Sequence, residues 1–499
     1  MKQKAMFKKV LIANRGEIAV RIMRTCREMG IQTVAVYSEA DKAAAHVLEA
    51  DEAIFLGPSE PSQSYLHMDK LISAAKQSGA EAIHPGYGFL AENASFAEAC
   101  DASGIPFIGP SAKVIKALGN KTLARRIMQS AGVPVIPGML EATTDPDTLQ
   151  KEAERIGYPV LVKAVAGGGG KGMRIISSPD AMKEGCLSAQ SEAQKAFGDG
   201  SLYLEKCLEA PRHIEFQVLA DHQGHVVHLF ERECSIQRRH QKIIEETPSA
   251  ALTRSLREAM GKAAVSAAKA SGYTNAGTVE FLLDGSGSFY FLEVNTRLQV
   301  EHPITEMTTG LDLVRQQMEI AAGSPLTLEQ EHITPRGHAM ECRIYAEDPE
   351  ALFFPSPGRV LAHHEPSGPG VRNDCGIYAG FEVPVEYDPI LSKLVVAADN
   401  REGARRRMIR ALEEYVILGI RTTIPFLIDI FKSPAFEDGH THTDFIERYF
   451  PDWHPNMDCA DLARIAYIVD ELAVSTRATR QARARGWPTP WQTLGHWRL

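Results

Sequence analysis

Short apolar runs and amphipathic segments alternate along the first 118 residues. Residues 10–13 are an apolar run that ends at Asn14-Arg15-Gly16, and apolar side chains then recur at helical spacing from Ile18 to Met29. This pattern predicts a strand, a turn and a helix with one apolar stripe. Because the alternation continues as far as residue 108, we expect a Rossmann-like, doubly wound α/β domain with a parallel sheet over residues 1–118. The charged residues opposite the helical stripe are Glu17, Arg21, Arg24 and Glu28.

Three further regions follow, and each has its own pattern. Over residues 119–332, apolar strands at 159–165 and 173–176 enclose a run of glycines, and more strands follow. Residues 333–450 mix strands with helices, whereas the tail at 451–499 contains one predicted helix, from Asp461 to about Val474. The chain is therefore predicted to be a multidomain protein of the α/β and α+β classes.

The glycine run at 167–172 has the spelling of a dinucleotide-binding loop but a different setting. The segment after it is a predicted strand, whereas a dinucleotide loop opens a helix. Two interpretations remain: a hairpin whose backbone N–H groups fold over a polyphosphate, and a surface loop that binds nothing. Lys163, on the strand that enters the loop, favours phosphate binding.

Polar residues occupy alternate positions from Glu293 to Glu301, and apolar residues fill the positions between them. With period 2, one face of an extended segment carries all five polar groups. Glu280 is a lone acid in the preceding apolar strand, and a short turn brings it beside Glu293. Two acids and the Asn295 amide oxygen offer the hard oxygen ligands that Mg²⁺ prefers with nucleotide phosphates. The five alternating polar residues are Glu293, Asn295, Arg297, Gln299 and Glu301.

Composition narrows the class of protein. The chain has 499 residues, 44% hydrophobic and 23% charged, which is typical of a soluble globular protein. The net charge is −9 and the sequence contains no block of like charge, and both observations argue against a nucleic-acid partner. The eight cysteines form no C-x-x-C pair, which argues against disulfides and zinc and favours a reducing compartment. Since no segment has the length of a signal peptide or a membrane span, we expect a cytoplasmic protein without a membrane partner.

The last 49 residues differ from the rest of the chain. They carry a net charge of +1, against −10 for the other 450 residues. Enrichment in arginine and aromatic residues is typical of an interface, and a helix packed back on the third region explains the pattern equally well. All four tryptophans lie in this tail: Trp453, Trp487, Trp491 and Trp497.

Seven motifs occur in order between about residues 6 and 450. They are I-A-N-R-G-E-I-A at 12–19, H-P-G-Y-G-F-L-A-E-N at 84–93, the glycine loop at 167–172, R-H-I-E at 212–215, E-C-S-I-Q-R-R-H-Q-K at 233–242, E-V-N-T-R-L-Q-V-E-H at 293–302 and E-C-R-I-Y-A-E-D-P at 341–349. In this order and spacing they resemble biotin carboxylase, the ATP-grasp component of biotin-dependent carboxylases. The resemblance implies a pre-ATP-grasp domain, an ATP-grasp domain with a mobile glycine-rich lid at about 136–206, and a C-terminal mixed α/β domain.

The resemblance also implies a reaction. ATP, bicarbonate and biotin on a separate carrier protein would give carboxybiotin, ADP and phosphate with Mg²⁺ or Mn²⁺ present. This is the first half-reaction of an acetyl-CoA, other acyl-CoA or pyruvate carboxylase, as in fatty acid biosynthesis. The implied partners are a biotin carboxyl carrier protein, carboxyltransferase subunits and a second copy of the chain, with the homodimer contact near Arg21, Arg24 and Glu28.

The resemblance carries roles to individual residues of this chain. The implied ATP-binding residues are Lys121, Lys163, Gly167, Gly168, Gly169, Gly170, Glu205, Lys206, Leu208, His213, Gln237, His240, Glu280, Leu282 and Glu293. Glu280, Glu293 and Asn295 would hold the metal. The implied bicarbonate-binding residues are Lys242, Arg297, Gln299 and Val300. The implied catalytic residues are Arg297, Glu301, Lys242 and Arg343, and Arg343 and Tyr87 would bind biotin.

The chemistry makes these residue types reasonable. Glu301 would take the proton of bicarbonate as it attacks the γ-phosphate, and Arg343 would stabilise the biotin enolate because arginine stays charged. Cys234 is a second candidate base, although a buried core role suits a small cysteine better. Two other functions stay open at this point: another ATP-grasp ligase that joins a carboxylate to an amine, and an inactive subunit that only binds nucleotide.

Overall fold

The computed structural model describes residues 6–139, 141–165 and 173–455, together with residues 465, 466, 468 and 469. The chain divides into two compact units, residues 1–452 and 453–499. The glycine loop and three of the four tail tryptophans lie outside the described residues. Of the predicted tail helix, the four described residues are helical. Among the described residues, the helices are too short or too polar to cross a bilayer.

The N-terminal region is a parallel sheet with flanking helices, as predicted. The elements are β1 (Lys9–Ile12), α1 (Gly16–Glu28), β2 (Gln32–Ser38), α2 (Ala45–Glu49), β3 (Glu52–Gly57), α3 (Met68–Ser78), β4 (Ala82–His84), α4 (Ala94–Ala102) and α5 (Ala112–Gly119). The four strands lie in the order β3-β2-β1-β4.

The second region is richer in strands. Its elements are α6 (Lys121–Ser130), α7 (Pro146–Ile156), β5 (Val160–Ala164), β6 (Met173–Ile176), α8 (Met182–Phe197), β7 (Leu202–Lys206), β8 (Arg212–Ala220), β9 (Val226–Arg238), β10 (Gln241–Thr247), α9 (Arg254–Ser271), β11 (Asn275–Leu283), β12 (Phe289–Asn295), α10 (His302–Thr309) and α11 (Leu313–Ala321).

The third region mixes strands and helices, as predicted. Its elements are β13 (His338–Tyr345), β14 (Glu347–Asp348), β15 (Phe354–Pro355), β16 (Gly358–Arg359), β17 (Ala362–His364), β18 (Val371–Cys375), β19 (Glu382–Val383), β20 (Ile390–Ala398), α12 (Arg401–Glu414), β21 (Val416–Leu418), α13 (Ile424–Lys432), α14 (Pro434–Glu437) and α15 (Phe445–Tyr449).

An eight-stranded sheet, called the large sheet below, runs through both of these regions. Its strand order is β12-β11-β8-β9-β10-β13-β20-β18. Strand β10 pairs with β13, so hydrogen bonds join the second region directly to the third. The domain boundaries near residues 118, 332 and 450 stay predictions.

Side-chain alternation gives the large sheet one apolar face and one polar face. Ile214, Phe216 and Val218 of β8 belong to the same buried cluster as Met260 and Ala264 of α9. Because successive side chains of a strand point to opposite faces, the residues between them point away from that cluster. These are His213, Glu215 and Gln217, and His213 lines the cleft described below.

A three-stranded antiparallel sheet, called the small sheet below, has the order β6-β5-β7. Lys163 pairs with Met173, which confirms the hairpin predicted around the glycine loop. A separate apolar cluster lies under this sheet and includes Leu149 of α7 and Cys186 of α8. The small sheet therefore has its own core.

Helix α1 corrects one prediction. Glu17 and Arg21, expected on a charged face, are 2% and 6% exposed. The physical reason is that α1 is covered on a second side, where it contacts β18, β20 and α11. Arg21 donates to Glu306 over 2.8 Å and to Asp312 over 2.9 Å. Arg24 and Glu28 are exposed, as predicted.

Candidate active site

Three carboxylates lie side by side across the large sheet. Glu280 on β11 is opposite Glu215 on β8 and opposite Glu293 on β12. The structure thus brings Glu280 and Glu293 together, as the short turn between their strands predicts. Directly opposite residues of antiparallel strands share one face, so the three acids form a row.

The ammonium of Lys242, on β10, contacts two acids of this row and also Glu301. Its Nζ lies 2.5 Å from Glu215, 2.7 Å from Glu280 and 2.8 Å from Glu301. His213 adds a second contact to Glu280, at 2.7 Å. Hydrogen bonds between charged groups are short and strong, so Lys242 holds together acids from three different parts of the chain.

Opposing forces set the charge states of this cluster. Burial alone would raise the pKa of Glu280 and of Glu301. Lys242, together with His213 beside Glu280 and Arg343 beside Glu301, outweighs burial and holds the pKa of both carboxyls well below the ordinary value. For Lys242, burial would lower the pKa, and the three carboxylates raise it well above its usual range. The lysine is therefore charged and both glutamates are ionised at neutral pH.

A tight hairpin turn delivers Lys242 to the cleft. Strands β9 and β10 pair Arg238 with Gln241, so Arg239 and His240 alone form the turn. Both have positive φ, +51° and +66°, which two-residue hairpins require and which glycine adopts more easily. Non-glycine residues in this strained conformation are typical of functional sites.

The polar residues from Glu293 to Glu301 do not form one extended strand. Strand β12 ends at Asn295, and Glu301 is the N-cap of α10. The predicted single face is therefore wrong beyond Asn295, because the chain bends at 296–300 and the period-2 rule no longer applies. All five polar side chains nevertheless line the same cleft.

Two arginines fix this bent segment. Arg297 donates to Glu92 over 2.9 Å and to the Asn295 side-chain oxygen over 3.2 Å. Arg232, which is fully buried, bonds Glu215 and Gln299, each at 2.6 Å. The bend is thus held by charged hydrogen bonds.

Arg343 joins the cluster from β13. Its guanidinium donates to Glu245 over 2.7 Å and to Glu301 over 3.1 Å. Burial raises the pKa of Glu245 to about 7, although Arg343 opposes this shift. Cys234 lies 4.0 Å from Glu301, and burial followed by the charge of Glu215 raises the pKa of its thiol well above the ordinary value. A protonated thiol suits the core role better than that of a base.

The small sheet supplies the other end of the cleft. Lys163 and Arg125 both donate to Glu205, and Arg125 also donates to the carbonyl of Ile136. Lys206 donates to two backbone carbonyls, at 2.8 and 2.9 Å. Glu205 thus ties the small sheet to α6.

One cleft of about 1180 Å³ collects the predicted residues. Tyr87 is outside its lining, and its ring centroid lies 5.6 Å from the ammonium of Lys393. The glycines at 167–170 lie outside the described residues. The predicted residues that line the cleft are Lys121, Lys163, Glu205, Lys206, Leu208, His213, Gln237, His240, Lys242, Glu280, Leu282, Glu293, Asn295, Arg297, Gln299, Val300, Glu301 and Arg343.

The residues predicted to hold a metal fit a hard divalent cation. Glu280 and Glu293 face each other, with Asn295 two residues further along β12. Burial and the charge of Glu280 raise the pKa of Glu293, a cost that a cation between the two carboxylates would remove. Carboxylate and amide oxygens are the donors that Mg²⁺ prefers.

Sequence reasoning missed several residues that bond the predicted ones, among them Glu215, Glu92, Arg232 and Glu245. Glu215 and Glu92 lie inside the motifs at 212–215 and 84–93. Their position as acids within a matched motif could have identified them as site residues. The bonds of Arg232 and Glu245 join segments far apart in the chain, and periodicity carries no trace of them.

Three family models together match most of the chain. Residues 6–115 match the family model of the biotin carboxylase N-terminal domain, and residues 341–448 match that of its C-terminal domain. Residues 120–329 match the ATP-binding domain of the carbamoyl-phosphate synthase L chain.

Individual relatives are similar over most of the chain. Biotin carboxylase of Halalkalibacterium halodurans is 53% identical over 89% of this chain and 98% of its own length. A pyruvate carboxylase subunit of Methanothermobacter thermautotrophicus is 56% identical over 89% of this chain and 90% of its own length. The crystal structure of the biotin carboxylase domain dimer of Hydrogenobacter thermophilus 2-oxoglutarate carboxylase, with MgADP, ADP and bicarbonate, is 50% identical with a TM-score of 0.85, and the match covers 89% of this chain and 98% of that one.

Proposed function

Because this chain belongs to the biotin carboxylase family, we propose that its cleft carries out the two steps of biotin carboxylation on the residues described above. The chain is an ATP-dependent ligase, and its reaction is the first half-reaction of a biotin-dependent carboxylase. The observation that supports the residue roles is the meeting of Lys242, Glu301 and Arg343 in one cleft. In a ligase that joins a carboxylate to an amine, Glu301 and Arg343 would have no role.

In the first step bicarbonate attacks the γ-phosphate of ATP. Glu301, ionised and at the start of α10, takes the bicarbonate proton, and an oxygen–phosphorus bond forms as the bond to ADP breaks. Arg297, Lys242, Gln299 and the Val300 backbone hold the bicarbonate. The products are ADP and carboxyphosphate.

Charge on the transferred phosphoryl group must be offset during this step. Lys121 and Lys163 contribute positive charge, with His213, Gln237 and His240 lining the phosphate and ribose side. Mg²⁺ bound with ATP would be held by Glu280, Glu293 and Asn295 and would supply further positive charge there. Glu205, Lys206, Leu208 and Leu282 hold the nucleotide base, and the glycine loop excludes water from carboxyphosphate.

In the second step carboxyphosphate gives its carboxyl group to biotin and leaves phosphate. The bond between the carboxyl carbon and the phosphate oxygen breaks, and the departing phosphate takes the proton of the ureido nitrogen of biotin. Arg343 stabilises the resulting enolate while Tyr87 contacts the ring. Arginine suits this role because its charge is permanent. The nitrogen then bonds to the carboxyl carbon.

We propose that biotin arrives on a separate carrier protein and that a carboxyltransferase subunit passes the carboxyl group to an acyl-CoA or to pyruvate. Two relatives support a multisubunit setting, since they are subunits of a pyruvate carboxylase and of a methylcrotonoyl-CoA carboxylase. We also propose a homodimer through the exposed part of α1, near Arg24 and Glu28. The dimeric relative supports a dimer. The free thiols of the described cysteines favour the cytoplasm.

The test is ADP release by the purified chain with ATP and bicarbonate, with and without a biotinylated carrier. We expect release to depend on biotin, and Arg343→Lys to lose this dependence while Arg254→Lys, at an exposed arginine, keeps it. Equal ADP release with and without biotin would contradict the proposal.

A further inference from the structure

Lys393 is a wholly buried lysine without a role in the steps above. It lies on β20 with 0% exposure, opposite Arg343 on β13 and opposite Asp374 on β18. Its ammonium donates to the carbonyl of Val300 over 3.1 Å and lies 3.2 Å from the Glu17 carboxylate. A buried charge needs such partners, so the position of the ammonium is closely fixed.

Glu17 is itself held in place. It lies in the first turn of α1, and a Cβ atom on Gly376 would come within 2.6 Å of its backbone nitrogen. The chain after β18 therefore lies directly against the start of α1. Burial raises the pKa of Glu17 to about 7 against the opposing charge of Lys393, so removal of the lysine would raise this pKa further and leave Glu17 buried without its ionic partner.

The Val300 carbonyl connects Lys393 to the reaction. It belongs to the peptide group whose nitrogen is that of Glu301, and Glu301 is the N-cap of α10. The same peptide thus joins a residue proposed to hold bicarbonate to the proposed base. Fixing its plane fixes the direction in which both residues face.

We propose that Lys393, anchored by Glu17, is a positioning residue that sets the Val300–Glu301 peptide for the use of bicarbonate. The inference rests on the proposed function. Lys393 acts through the backbone and does not touch substrate. Its loss should therefore change the KM for bicarbonate and leave the KM for MgATP nearly unchanged.

The test compares Lys393→Met, Glu17→Gln and the double variant in the full chain. The double variant carries neither the buried cation nor its anchor, and Asp374 keeps Arg372 as a partner at 2.7 Å. We expect its melting temperature to return toward the wild-type value, while its KM for bicarbonate stays raised about tenfold or more and its KM for MgATP changes less than about twofold.

Each other outcome has a definite meaning. A double variant that recovers the wild-type KM for bicarbonate along with its melting temperature would show that Lys393 is only structural. Equal rises of the bicarbonate and MgATP KM values would also overturn the positioning role. If the wild-type chain shows no biotin-dependent ADP release, the proposed function fails and this inference fails with it, whereas a normal wild-type chain with unaffected variants refutes the inference alone.

Discussion

The large and small sheets differ in how their charged side chains are buried and paired. On the large sheet, Lys242 and Arg232 are enclosed by carboxylates and amides, and nearly every polar atom is paired within the cluster. On the small sheet, the ion pair of Arg174 with Glu192 is 41% exposed on each side. The difference indicates that the large sheet carries a preorganised site, whereas the small sheet covers it and binds through fewer fixed contacts.

Preorganised charge explains why the reaction would take place on the large sheet. A dry cluster whose groups are already oriented needs no reorganisation when charge develops on the reacting atoms. Lys163 and Glu205, at the junction with the small sheet, are the exception and connect the two parts.

Replacing the proposed base should have the largest effect. Glu301→Gln keeps the shape of the side chain but cannot accept a proton, so we expect kcat to fall about 10²- to 10⁴-fold. Steady-state ADP release measures this, and MgADP affinity should stay unchanged. The matched control is Glu258→Gln, at an exposed glutamate, which should keep wild-type activity. If kcat fell less than tenfold in Glu301→Gln, Glu301 would not be the base.

Removing a buried cation should affect stability far more on the large sheet than on the small one. Arg232→Met removes the guanidinium that bonds Glu215 and Gln299 and leaves Lys242 as the partner of Glu215, and we expect a loss of about 3–5 kcal/mol. Arg174→Met removes an exposed pair and should cost about 1 kcal/mol or less. Urea unfolding compares the two variants. Equal losses would mean that the two sheets do not differ in how they hold charge.

Nucleotide binding should depend on the junction of the sheets. Lys163→Met removes a positive charge next to Glu205. We expect the KM for ATP to rise about tenfold, which is the effect of one charged hydrogen bond, and the KM for bicarbonate to stay unchanged. Initial rates at varied ATP and varied bicarbonate separate the two. Lys183→Met, at an exposed position on α8, is the matched control. A rise confined to the bicarbonate KM would move Lys163 out of the nucleotide site.

The smallest expected effect is on pH dependence. Since the pKa of Glu245 is raised to about 7, the folded protein keeps a proton that the unfolded chain releases near its ordinary pKa of 4.5. The contribution of this group to stability is therefore present below about pH 4.5 and is lost as the pH rises toward 7. Glu245→Gln should flatten the fall in melting temperature from pH 5 to 7.5, whereas Glu258→Gln should not. Parallel curves for wild type and Glu245→Gln would contradict the raised pKa.

Local pattern predicts the parts of the fold that depend on neighbours in sequence. The parallel N-terminal sheet, the hairpin around the glycine loop and the pairing of Glu280 with Glu293 all follow from short-range periodicity. The burial of Glu17 and Arg21 could not be predicted, because the strands that cover α1 lie more than 340 residues further along the chain. For the same reason Lys393 gave no signal in its own strand.

The prediction for the segment after Asn295 shows a different limit. Alternation there predicts a strand, yet the chain bends, and the five polar side chains meet because Arg232, Arg297 and Glu92 hold the bend. Such long-range bonds have no periodic signature. Glu215 could have been predicted as a site residue, since it is an acid in an apolar strand just as Glu280 is.

The central claim is that bicarbonate attacks the γ-phosphate of ATP in this cleft. The direct measurement uses ¹⁸O-labelled bicarbonate with ATP and a biotinylated carrier, and determines the label in the phosphate released. Attack by a bicarbonate oxygen predicts one labelled oxygen in each phosphate, in proportion to the carboxybiotin formed. Unlabelled phosphate formed together with carboxybiotin would contradict the account.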